Sequence, residues 1–171
     1  MQMFVLDEDP SLSARFLTDA HVRVICREVT MLLSTWYWYN VPESRAELPY
    51  QPMNQNQPLS LQMTSYPVRR WAIKNARDIF NEFEFRFDKT HASEAKYVQL
   101  LNAIDKYDLN VKKGTPRMEF TFVPKGRGVY PGNSIEEAVL LYRSYFRQKL
   151  REMRVPVVFT RRSQPFWLHR F

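Results

Sequence analysis

The sequence predicts a mainly α, single-domain helical fold with a short N-terminal strand and a small β element or lid. Three observations predict it. Apolar residues return at helical spacing along three stretches, at Val22, Ile25, Val29, Leu32, Leu33 and Trp36, at Trp71, Ile73, Ile79, Phe80, Phe83 and Phe87, and along residues 93–107. Ser134-x-x-Glu137 is a capping box ahead of a further apolar-periodic run. Only residues 119–123, Glu-Phe-Thr-Phe-Val, alternate as a strand or an extended lid does. The chain has 171 residues with 44% hydrophobic and 15% aromatic content, enough for one real core and against wholesale disorder.

Taken in order, residues 3–6 read as a short strand or extended arm, closed by Asp9-Pro10. Proline suits a first helical turn, so a helix starts near Pro10 or Ser11. The helical pattern runs to about Thr35, with a break near Thr18-Asp19, where Asp19 is placed to cap the next segment. Residues 41–67 hold Pro42, Pro49, Pro52, Pro58 and Pro67 around an Asn-Gln-Asn-Gln run, which makes a long irregular loop. Helices follow over residues 68–87 and 93–107. Two basic turns then flank the alternating segment, one with Lys112 and Lys113, the other with Lys125 and Arg127. The final long helix runs from the capping box to about Met153, and residues 155–171 form a basic-aromatic tail.

The chain carries 25 Lys and Arg against 18 Asp and Glu, a net charge of +7 and a pI near 9.6. That excess suits a polyanionic partner, because neutralising phosphates releases counterions. The single cysteine, Cys26, excludes an internal disulfide and a Cys-based zinc cage, and it lies beside the apolar stripe of its helix. No secretory signal is visible and no run approaches the roughly 18 apolar residues of a membrane span. An intracellular, reduced setting is expected. Walker, His-Glu-x-x-His and nucleophile-elbow motifs are absent. Asp7, Glu8 and Asp9 suggest a Mg²⁺ site only weakly, since consecutive acids do not share a strand face. A capped helix start explains them better, and no metal or cofactor is expected.

The chemistry-bearing feature is His21 and Glu28, seven positions apart on one helix. Seven residues is two turns less about 20°, so both side chains lie on one line at the edge of the apolar stripe. Arg23, Arg27, Thr30 and Ser34 take the opposite side. A carboxylate and an imidazole at a core border are partly desolvated, a setting in which protonation is tuned toward neutral pH.

The string Leu17-x-Asp19-x-His21, followed after five residues by Arg27-Glu28-Val29, resembles the first helix of the phage pyrimidine-dimer DNA glycosylases. A wider group of phage proteins carrying that label is similar over more of the chain. Its strand, Trp helix, Tyr-Arg-Tyr-like element and Tyr-Arg-x-Tyr-Phe-like helix correspond to residues 4–10, Trp71, residues 85–91 and residues 142–146. The resemblance implies an enzyme that excises a damaged base and cuts the strand, in the cytoplasm of an infected bacterial host. An amine attacks the sugar C1′ to form a Schiff base, and a carboxylate then moves the proton that permits elimination. Carried over, Glu28 is the acid/base, Arg27 contacts DNA near the lesion and His21 assists. The amine is the chain's own α-amino group, here Met1. The chain departs at this point, because Gln2 favours retention of Met1 and the lead-in to His21 is longer than in the small glycosylases. Whether that amine reaches Glu28 stays open.

A second constellation is Glu84, Arg86, Lys89, His91 and Ser93, in which Arg86 and Lys89 are candidates to grip phosphates and His91 to act as acid or donor. A solvated helix end explains the same residues equally well. In Trp36-Tyr37-Trp38-Tyr39, Trp36 and Tyr39 face inward at helical spacing, and Trp38 is the candidate to stack on a base. Arg23, Lys112, Lys113, Lys125, Arg127, Arg161 and Arg162 complete the expected DNA-binding set. The rival expectation is a non-catalytic protein that binds DNA and a host base-excision repair enzyme, such as a uracil-DNA glycosylase, and redirects it.

Overall fold

The structure is a computed structural model and describes residues 2–107, 114–124 and 128–168. Among the described residues six α-helices, α1 Pro10–Arg15, α2 Asp19–Asn40, α3 Pro58–Gln62, α4 Tyr66–Phe87, α5 Glu94–Tyr107 and α6 Ile135–Glu152, surround one core. A two-stranded antiparallel sheet, β1 Phe120–Phe122 and β2 Tyr130–Asn133, pairs Phe120 with Asn133 and Phe122 with Tyr130. The fold is therefore mainly helical with a small β element. No helix of the described residues is long and apolar enough to cross a membrane.

Local chemistry starts these helices. Asp9 Oδ1 accepts the Ser11 N–H at 2.7 Å ahead of Pro10, so the acidic run is a helix cap. Thr18, rather than Asp19, caps α2. Ser65 caps α4, and Ser134 and Glu137 form the expected reciprocal box on α6. The irregular 41–67 segment contains a 3₁₀ turn at Pro42–Glu47 and all of α3, and it buries Val41, Leu59 and Met63.

Residues 3–6 are buried but pair with no strand among the described residues. Side chains satisfy their backbone instead. Ser13 Oγ accepts the Leu6 N–H at 3.0 Å and donates to Phe4 O at 3.1 Å, and Arg143 Nε donates to Leu6 O at 2.7 Å. With those partners a burial-driven apolar segment needs no sheet. Phe4 packs edge-on to Tyr142 and Phe146 of α6, which ties the lead-in to the last helix.

α2 runs five residues past its expected end and is more deeply buried than its sequence pattern implies. Thr30 and Ser34, expected on the polar side, are fully buried and donate to Cys26 O and Thr30 O at 2.8 and 2.9 Å. Back-bonding to the preceding turn lets hydroxyls enter a core. Cys26 is buried among them, and burial pushes its thiol up to about 12.

Two buried arginines hold the connections. Arg69 lies over the Trp36 ring at 3.6 Å and donates to Met63 O and Thr64 O at 2.6 and 3.2 Å. Gly114, at φ 120°, closes against this point, where an added Cβ would stand 1.8 Å from Thr64 O. Arg86 is held by the carboxylates of Asp19 in α2 and Glu82 in α4.

Candidate functional site

α2 sets His21 in its first turn and Glu28 two turns on, along one face as their spacing requires. His21 is 6% exposed, its ring edge-on to Phe4 at 5.4 Å and 4.7 Å from Phe146. Its Nδ1 stands 2.6 Å from Thr18 Oγ1. Burial, reinforced by the nearby Lys149 charge, pushes the imidazole down to about 4. Desolvation thus carries His21 past the neutral range expected from sequence. At physiological pH it is a neutral hydrogen-bonding group.

Glu28 is half-buried, and its Oε2 accepts the Gln2 peptide N–H at 2.6 Å. The longer lead-in therefore folds back onto α2 and does not run away from it. The Gln2 side chain continues the link. Its Oε1 accepts from the Lys149 ammonium, and its Nε2 donates to Tyr145 Oη at 3.2 Å. Gln2, His21, Glu28 and Lys149 together border a hollow of about 280 Å³ with an apolar floor that includes Ala20 and Ile25. Sequence reasoning missed Lys149 and Gln2. Lys149 had a legible signal, since at helical spacing from Tyr142 and Phe146 it falls on the apolar face of α6.

A neighbouring hollow of about 340 Å³ is walled by Phe122, Tyr130, Leu141 and Tyr145, with Ser144 and Gln148 as polar groups. Tyr145 belongs to this wall and also receives the Gln2 amide, so one side chain joins the two hollows.

The second expected constellation is not assembled for phosphate. Arg86 has no exposed side-chain surface. It pairs with Glu82 at 3.0 Å and Asp19 at 3.1 Å, and it donates to Leu17 O and Arg15 O. It is an internal strut, because a guanidinium with five donors suits a cluster of carbonyls and carboxylates. Arg162 pairs with the same Glu82, and Thr160 donates to Asp19 through N–H and hydroxyl at 3.0 and 2.6 Å, which clamps the tail to the α2 start.

His91 is also pinned. The Ser93 N–H, which can only donate, bonds Nδ1 at 3.0 Å, and the Arg23 carbonyl, which can only accept, meets Nε2 at 3.1 Å. Those partners define the neutral Nε2–H tautomer, with the ring held against Phe80 and Phe83. Both nitrogens are used, so His91 joins α2 to the α5 start and has no site left for acid catalysis.

Among the expected phosphate contacts, Arg23, Arg27 and Lys89 are exposed, with the Arg23 guanidinium 4.2 Å from the Phe87 ring centre. Arg161 donates to Asp88 Oδ1 at 2.7 Å and to Phe85 O at 2.8 Å. Trp38 is half-buried against the core, with Arg45 over its ring at 5.7 Å. Trp36 and Tyr37 are the buried pair of that block, and Tyr39, expected inward, is 40% exposed. Met1, Lys112, Lys113, Lys125 and Arg127 lie outside the described residues. Among the described residues no group of three or more His, Cys, Asp or Glu side chains is placed to hold a metal ion. Compared with protein-family models, curated proteins and solved structures, the chain matches none.

Proposed function

We propose that this chain acts on DNA at damaged or abasic nucleotides and that the hollow bordered by His21, Glu28 and Lys149 is its reaction site. The observation that carries the reading is the Glu28 carboxylate held at 2.6 Å from the Gln2 N–H, beside a neutral imidazole and a primary amine. A carboxylate and an amine at one small hollow are the two groups that Schiff-base strand cutting requires. The likeness of the Asp19-x-His21…Arg27-Glu28 string to the pyrimidine-dimer glycosylases adds to it. Arg23 and Arg27, exposed on another side of the same helix, add positive charge, and the net charge of +7 draws a polyanion. The aromatic hollow beside Tyr145 accepts a planar ring, as a base drawn out of its stack requires. The test is cutting of abasic and dimer-containing duplexes by the purified chain. Loss of cutting in Glu28→Gln supports the reading, and equal cutting by variant and parent removes Glu28 from the site.

A second reading has its own observation. Val155, Val157, Val158 and Phe166 of the tail region are exposed, with Phe166 67% open. Apolar side chains left open beside paired arginines suit a protein partner, such as a DNA-repair enzyme that produces abasic sites. Cutting of uracil-containing duplex only in the presence of a uracil-DNA glycosylase would favour it.

A further inference from the structure

The Gln2 side-chain oxygen accepts from an amine carried by the last helix. We propose, resting on the reading above, that Lys149 is the nucleophile of the site and forms the Schiff base with the sugar of an abasic nucleotide. Lys149 belongs to the border of the same hollow as Glu28 and His21, and its Nζ is held by Gln2 Oε1 while Gln2 N–H is held by Glu28. Its Nζ lies over the ring of buried Phe4, 5.6 Å from the centre. One residue thus brackets an amine and a carboxylate at a single cavity. Lysine is the side chain whose amine is nucleophilic toward carbonyl carbon once it loses its proton.

The step balances within the site. The ammonium passes one proton to the Glu28 carboxylate, and the freed amine attacks the aldehyde carbon C1′ of the ring-opened abasic sugar. The C1′ oxygen leaves as water, taking one proton from the attacking nitrogen and one that Glu28 returns, and an iminium joins Nζ to C1′. Glu28 then removes a proton from C2′. The C2′–H electron pair becomes the C2′–C3′ double bond as the C3′–O bond breaks, and the phosphate departs with the C3′–O electrons. Water hydrolyses the iminium and restores Lys149. Neutral His21, buried beside them, is a hydrogen-bonding wall and takes no proton in this sequence.

The test is borohydride reduction of the full chain mixed with abasic duplex, followed by digestion and mass mapping of the modified residue. The expected result is an adduct on Lys149. Lys149→Arg keeps the positive charge and a donor for Gln2, so it retains the melting temperature and salt-dependent DNA binding but gives no adduct. Glu28→Gln slows adduct formation and strand cutting together, by about 10² or more. An adduct on the α-amine, or undiminished cutting by Lys149→Arg, overturns the assignment of Lys149 and leaves the proposed function in place. Neither adduct nor cutting on any abasic or dimer-containing duplex, alone or with an added glycosylase, overturns the proposed function itself.

Discussion

The Gln2 peptide N–H and the Glu28 carboxylate meet at 2.6 Å across 26 positions of sequence. The contact exists because residues 3–6 are apolar enough to be drawn into the core, while Ser13 and Arg143 satisfy the backbone that burial strips of water. Once that segment is seated, the backbone of Gln2 has nowhere to go except over the middle of α2, where Glu28 lies at the border of the core.

Arg86→Met should destabilise the chain by about 3–5 kcal/mol, because it leaves Glu82 and Asp19 without their buried cation and strips two carbonyls of a donor. Urea denaturation measures it. A variant that weakened DNA binding at unchanged stability would instead return Arg86 to the surface role suggested by its sequence context.

His21 makes stability depend on acid. Its folded value of about 4 lies below its ordinary 6.5, so the unfolded chain takes up the proton first. Stability is fully present above pH 6.5 and falls as pH drops from there to about 4, by about 3 kcal/mol in total. Denaturation at pH 7 and pH 4.5 reads the loss, and His21→Gln, which does not titrate, should remove most of its slope. Equal stability of the parent at both pH values would show the imidazole to be solvated.

Gly114→Ala should cost about 1–3 kcal/mol or displace the 114–117 turn. The residue sits at φ 120°, and its new methyl would stand 1.8 Å from Thr64 O, beside the Arg69 guanidinium. Denaturant melts of the variant measure the cost. A neutral result would mean that the turn is free to move off Arg69.

DNA binding should weaken by at least about tenfold between 50 and 200 mM salt if several phosphates are contacted. Arg27→Gln should lower the salt slope by about one, because Arg27 is exposed next to Glu28. Arg161→Gln should change it less, since its guanidinium already serves Asp88 and Phe85 O. Anisotropy titrations at several salt concentrations check both. A salt-independent affinity would remove the phosphates from the interface.

The sequence by itself determined what depends on neighbours a few residues apart. Asp9-Pro10 and Ser134-x-x-Glu137 start helices through hydrogen bonds that close within one turn, so they were legible without the fold. The shared face of His21 and Glu28 follows from helical pitch in the same way. Tertiary packing alone decided what those side chains meet. Glu84, Arg86, Lys89 and His91 read as one polar group along the chain. Yet helical pitch turns Arg86 into the core, where carboxylates from two helices receive it, and leaves Lys89 in water. His91 lost one ring nitrogen to a carbonyl 68 positions away and the other to the Ser93 N–H. Lys149 joined the site because α6 crosses the buried lead-in, a contact separated by 147 positions from Gln2. Such pairings depend on how whole apolar faces close on one another. No local pattern in a single sequence encodes that closure, because burial rewards total area without specifying partners.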